Sequence, residues 1–320
     1  MISDSTFRPA WWLPGAHLQT LYPSLFRKRT VPTLTRERLE LADGDFVDID
    51  WTTGNGDMTV LLLHGLEGSL ESHYTGGLLC ALERSGYTAG LMYFRGCSGE
   101  PNRLPRRYHS GDTGDIETVV RHRQQCRPEK PLAAIGVSLG GNVLLKWLGE
   151  QGHDADLTTA IAISVPFDLH EAALKLGKGA SQIYQHHLLK RLRNSVTLKA
   201  TRHEPPFPVE RLDELDSFHK FDNAVTAPLH GFRDVGDYYA RSSSKQFLSR
   251  IEIPTLLLQA IDDPFLPVDA LPGAAELGPA VTLELARHGG HVGFVTGGNP
   301  LKPRYWLEER VLQHLQSCRH

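Results

Sequence analysis

Short, mostly apolar runs alternate with stretches of helical period along most of the chain. Thr59–Leu63, Tyr87–Phe94, Leu132–Ile135, Leu157–Val165, the run after Ile253 and Val281–Leu285 each read as strands covered on both faces. Glu71–Arg84, Asp112–Cys126 and Tyr305–Leu315 read as helices, with Asp112 or Asp115 placed to cap the second. A further helix follows Ile135, with Val143, Leu144, Trp147 and Leu148 in phase. Arg38–Trp51 alternates about Asp43-Gly44, which predicts a β-hairpin. Its acids, Asp43, Asp45, Asp48 and Asp50, read as a solvated strand edge and not as a calcium site. Strands alternating with helices predict a mostly parallel central sheet with helices on both faces.

Two stretches break this rhythm. Residues 1–38 are rich in Pro and aromatics and predict an arm packed on the core, with Gly15–Thr20 opening a short helix. Residues 170–244 alternate amphipathic helices with Pro-rich connections and show no strand pattern, which predicts a helical cap insertion. Within it, Ile183–Arg193 is read as a cap helix packing its apolar side on the core. The α/β core is then 39–169 and 245–320.

Bulk properties narrow the class. Forty per cent hydrophobic and 22% charged residues in 320 suit a folded protein with a sizeable core. A net charge of −3 gives no reason to expect nucleic acid or an anionic membrane as partner. Cys80, Cys97, Cys126 and Cys318 have no metal-like spacing and read as free thiols of a reducing compartment. The start lacks a basic region followed by an apolar stretch, and no apolar run approaches a membrane span. The expectation is a cytoplasmic protein without stable membrane insertion. Its oligomeric state is not legible.

The chemistry gathers where strands end. Gly136-Val-Ser-Leu-Gly140 sits between a buried strand and a helix, the context in which Gly-x-Ser-x-Gly forms a nucleophile elbow. A turn this sharp leaves no room for Cβ atoms at its flanks, and it would expose Ser138 with the Leu139 N–H directed into the same space. His64-Gly-Leu-Glu-Gly-Ser69 follows the strand Thr59–Leu63. A loop in that position supplies a second oxyanion donor, which assigns the N–H of Leu66. His64 itself reads as a residue hydrogen-bonding its own loop. Two carboxylates, Asp262-Asp263, end a later strand, and His288 and His291 lie in a Gly-rich loop after the next one. A serine nucleophile needs a base and an anion to orient that base, here in the order Ser, acid, His. On the residues alone, either acid and either histidine could serve.

Six segments together resemble the AB-hydrolase superfamily, and within it the family-4 subgroup of bacterial YheT-type hydrolases and related eukaryotic ABHD lipases. They are His64–Ser69, Phe94–Asn102, Tyr108–Gly111, Gly136–Asn142, Asp262–Phe265 and His288–Phe294. The resemblance implies an α/β-hydrolase fold with Ser138 as nucleophile, Asp263 as acid and His291 as base. Asp263 is chosen over Asp262 by the superfamily's habit of a proline four residues after the acid, here Pro267. The implied activity is hydrolysis of small-molecule carboxylic esters, short- to medium-chain by default, through an acyl-enzyme that needs no metal or organic cofactor. Acyl transfer through the same intermediate and ligand binding without turnover are the alternatives. The acyltransferase motif His-x-x-x-x-Asp found in some relatives is missing.

Overall fold

The structure is a computed structural model that describes residues 1–54 and 56–318. Arg319 and His320, the end of the expected core segment, lie outside the described residues. The strands are β1 (Ile2–Asp4), β2 (Leu34–Glu40), β3 (Phe46–Thr52), β4 (Met58–Leu63), β5 (Tyr87–Met92), β6 (Leu132–Val137), β7 (Thr159–Ile163), β8 (Thr255–Ala260), β9 (Val281–Ala286), β10 (Val295–Asn299) and β11 (Lys302–Tyr305). The helices are α1 (Ala16–Phe26), α2 (Thr75–Arg84), α3 (Gly114–Cys126), α4 (Leu139–Gln151), α5 (Leu169–Leu176), α6 (Gln182–Ala200), α7 (Phe218–Phe221), α8 (Ala227–Leu229), α9 (Val235–Ser242) and α10 (Trp306–Ser317).

Nine strands form one sheet in the order β1-β9-β8-β7-β6-β4-β5-β3-β2. Only β2 and β3 run antiparallel to their neighbours. The central strands β4, β5, β6, β7 and β8 are buried along their whole length because helices cover both faces, which is why they read as unbroken apolar runs. One core cluster lies on each face: Leu61, Leu63, Val143 and Leu144 on one side, Val60, Leu62, Leu78 and Leu82 on the other. Between β7 and β8 the chain holds no strand. It folds there as α5 to α9 with a small cluster of its own, Leu189, Leu192, Val196 and Phe221.

Four features differ from the sequence-based expectations. The arm is not only packed on the core: β1 extends the sheet beside β9, and β2 begins at Leu34, inside the expected arm. The hairpin β10–β11 had no alternating apolar signal, since its strands carry Gly297, Gly298, Asn299 and Lys302. Neither Asp112 nor Asp115 caps α3, whose N-cap is Thr113; they bind Arg106 and Arg95 instead. Of the acids of the first hairpin, Asp43 is exposed as expected, but Asp45, Asp48 and Asp50 are buried and form no solvated edge. Asp45 and Asp48 are 0% and 1% exposed, because β3 is flanked by β2 and β5 and each carboxylate faces an arginine. Arg38 binds Asp48 and Arg36 binds Asp50, both in bidentate pairs, and Arg95 binds Asp43, Asp45 and Asp115.

Candidate active site

The elbow is built by close approach of β6 and α4. A Cβ on Gly136 would lie 2.5 Å from the Gly140 carbonyl oxygen, and one on Gly140 would lie 2.5 Å from that of His64. Hydrogen at both positions lets α4 start with only one residue between it and the end of β6. Ser138, between them, is held at φ 53° and ψ −118°, a backbone conformation that costs an L-residue about 1–3 kcal/mol and survives only where its surroundings enforce it. Here they do: Ser138 N–H donates to Ile163 O at 2.8 Å, and Ser138 O accepts from Asn142 N–H.

Ser138 Oγ lies 3.0 Å from His291 Nε2. His291 Nδ1 lies 2.9 Å from one oxygen of Asp263 and 3.2 Å from the other. With the ring proton on Nδ1, the imidazole donates to the carboxylate and accepts from the serine hydroxyl. Asp263 is 3% exposed and is itself oriented by the Phe265 N–H at 2.8 Å and the Gln259 amide at 3.2 Å. The structure therefore brings together Ser138, Asp263 and His291, which lie on three separate loops. It places Asp262 and His288 apart from that set. Asp262 accepts from the Gly290 N–H at 3.0 Å and faces His288 Nδ1 at 3.2 Å, on the more exposed side of the loop.

The loop after β4 is pinned one amide at a time. Gly65 N–H donates to the Tyr74 hydroxyl, Glu67 N–H to the Tyr108 hydroxyl, and Gly68 N–H to Gly65 O. His64 is fully buried, with Nδ1 2.7 Å from Gly65 O and Nε2 accepting from the Phe94 N–H at 3.1 Å. Burial pushes its pKa down to about 4, so it stays neutral and holds the loop. Leu66 is the one residue from 65 to 68 whose N–H has no hydrogen-bond partner among the described residues. Leu66, Leu139 and Ser138 line one cavity together.

That cavity measures about 820 Å³ with its open mouth included. Leu169, Ala172 and Leu176 of α5, Leu188 and Leu192 of α6, and Phe218 of α7 give it an apolar wall opposite the elbow. Asn142, fully buried on α4, ties that helix to the segment before α3 and to the end of α9: its amide donates to Ser110 O and Ser242 O and its oxygen accepts from the Ser244 N–H. Among the described residues no group of three or more His, Cys, Asp or Glu side chains is arranged to hold a metal ion. Cys97, two residues after Arg95, is a free thiol whose pKa burial pushes up, away from reactivity at neutral pH.

Three contacts were not foreseen. The Phe265 ring stacks on His291 at 3.7 Å between centroids and 1° between planes. Thr20 Oγ1 accepts the His291 N–H at 2.9 Å, so α1 anchors the histidine loop. Ser164, itself at φ 52°, accepts the Val292 N–H. Phe265 lay within a motif quoted for its family likeness, and that was its only signal.

Fold and site now define a class. A profile of the α/β-hydrolase fold matches residues 59–298, and the chain belongs to that family. Within it, the chain is 40% identical to YheT of Escherichia coli (strain K12) over 315 residues, 97% of this chain and 92% of that protein. It is 30% identical to the human phospholipase ABHD3 over 315 residues, 95% of this chain and 77% of that one. A solved structure of the Pyrococcus furiosus esterase Pf2001 shares the fold at a TM-score of 0.61, with 18% identity over 90% of this chain and 91% of that one.

Proposed function

We propose that the protein hydrolyses carboxylic esters of short- to medium-chain acids through an acyl-enzyme on Ser138. The observation that carries this reading is the unbroken contact from Asp263 through His291 to Ser138 Oγ at the floor of an apolar cavity. Ser138 Oγ attacks the ester carbonyl while His291 Nε2 takes its proton; Asp263 steadies the imidazolium that forms. The N–H groups of Leu66 and Leu139 receive the oxyanion, each worth about 3 kcal/mol of transition-state stabilisation. His291 returns the proton to the departing alkoxide. It then deprotonates water for the second attack, which frees the acid and restores Ser138. The wall from α5, α6 and α7 accepts the acyl chain, and the names of relatives, phospholipase and monoacylglycerol lipase among them, agree with an acyl ester.

The test is turnover of p-nitrophenyl esters of graded chain length, with products analysed in the presence of an added alcohol. Hydrolysis predicts free acid as product and a loss of about 10⁴-fold or more in kcat for Ser138→Ala, with unchanged thermal stability. A new ester formed at the expense of acid would make the protein an acyltransferase. A folded native protein that turns over no ester at all would sink the reading.

A further inference from the structure

Helix α1 has its polarity inverted. Its buried side consists of Gln19, Thr20 and Pro23. Gln19 is 0% exposed and spends its amide on Leu13 O, Val295 O and the Val295 N–H. Its outer side carries Leu18, Tyr22, Leu25 and Phe26, at the i, i+4, i+7, i+8 spacing of a single helix face. Leu18, Leu25 and Phe26 are 48%, 68% and 67% exposed. The Tyr22 ring packs on Phe26 and on Trp12, and its hydroxyl donates to Pro300 O at the tip of the β10–β11 hairpin. Leu301, beside that contact, is 92% exposed, and Trp11, beside Trp12, is 83% exposed. Arm, helix and hairpin thus present one continuous apolar surface.

Its charge is predominantly positive. Between Asp4 and Glu37 the sequence holds no acid but has Arg8, Arg27, Lys28, Arg29 and Arg36; the hairpin adds Lys302 and Arg304 before the next acid, Glu308. Arg27, Arg29 and Arg304 pair with Glu308, Glu71 and Glu309. Arg8, Lys28 and Lys302 are exposed and have no ion-pair partner among the described residues, in a chain whose net charge is −3. A second copy meeting this face across a two-fold axis would set these cations against their own counterparts. A layer of anionic headgroups over an apolar interior is complementary in both respects.

We propose that the face formed by α1 and the β10–β11 hairpin docks the protein reversibly on an anionic lipid surface, with Trp11, Leu25, Phe26 and Leu301 entering the headgroup boundary. No helix among the described residues is long and apolar enough to cross a membrane, so the contact lies in the interface plane. The same helix holds the site: Thr20 accepts the His291 N–H, and His17 Nδ1 lies 2.9 Å from the hydroxyl of Tyr184, whose ring meets Phe265 at 5.1 Å. Docking therefore holds the lipid one helix away from the His291 loop. That lipid esters are the substrates rests additionally on the ester-hydrolase reading.

Vesicle flotation with the full-length Ser138→Ala protein separates docking from turnover. The probes are phosphatidylcholine vesicles with and without phosphatidylglycerol. Docking predicts flotation with the anionic vesicles, a blue shift of tryptophan emission, and loss of both at high salt. Leu25→Ser/Phe26→Ser and Lys28→Glu/Lys302→Glu should each weaken binding about tenfold or more. Placed in the otherwise native chain, both pairs should leave thermal stability and hydrolysis of a soluble short-chain ester unchanged. Absence of flotation with anionic vesicles, or flotation indifferent to both variants, would overturn the proposal. So would a concentration-dependent dimer that Leu25→Ser/Phe26→Ser dissolves without any vesicle binding; the face would then belong to a second copy.

Discussion

Asp262 and Asp263 are neighbours of one type, yet each takes its own histidine: Asp263 meets His291 in the interior and Asp262 meets His288 nearer the surface. If the interior pair orients the base, Asp263→Asn should cost about 10³–10⁴-fold in kcat, because the amide no longer fixes the Nδ1–H tautomer. Asp262→Asn and His288→Ala should cost less than about tenfold, through a looser Gly290 loop alone. Steady-state kinetics on a soluble ester decides it, and comparable losses at both acids would contradict the assignment. Ser138 was legible in the sequence because sterics force glycine onto both flanks of a sharp strand-to-helix turn, and that leaves a local signature. Phe265 and Thr20 were not, since stacking on His291 and accepting its N–H depend on segments distant in the chain meeting in space.

At the level of elements, the elbow leaves no room for a Cβ on either of its flanks. Gly140→Ala would drive a Cβ to within 2.5 Å of His64 O and 2.6 Å of Leu63 O, and it should destabilise the fold by about 3 kcal/mol in urea unfolding. A loss below about 1 kcal/mol would mean that β4 and α4 can separate, contrary to the close approach described. The buried strands were legible because helices on both faces make their sequences uniformly apolar. Helix α1 and the β10–β11 hairpin were harder: one buries Gln19 and Thr20 while showing leucines to solvent, and the other has no apolar side to announce it. The acids of β3 were misread as solvated, yet their partners were within reach of the hairpin register. Pairing about Asp43-Gly44 sets Arg38 opposite Asp48 and Arg36 opposite Asp50. Arg95 could not be matched that way, because it arrives from the loop after β5. Arg95→Met should cost about 3–5 kcal/mol by leaving Asp45 and Asp115 buried without their cation, measured by denaturant unfolding.

Across the whole molecule, burial holds several histidines neutral. The pKa values of His64, His73 and His314 are pushed down to about 4, that of His109 to about 3 and that of His230 to about 2. In the unfolded chain these groups take up protons near pH 6.5, and in the folded one they do not. Stability should therefore be full above pH 6.5 and fall as the pH drops toward 4. Asp222, raised to about 6 by burial, works in the opposite sense between its unfolded pKa near 3.8 and 6, and offsets part of that loss. Thermal midpoints across this range, read in parallel with intact secondary structure, test the sum; a flat profile would contradict it. The proposed chemistry depends on the fold bringing three loops together at Ser138, and that convergence is tested most directly by exposing the native protein and Ser138→Ala to a fluorophosphonate and weighing both intact. A single adduct on the native protein, absent from the variant, is the result an activated Ser138 predicts. A folded native protein that forms no adduct, or a variant that still forms one, would contradict it.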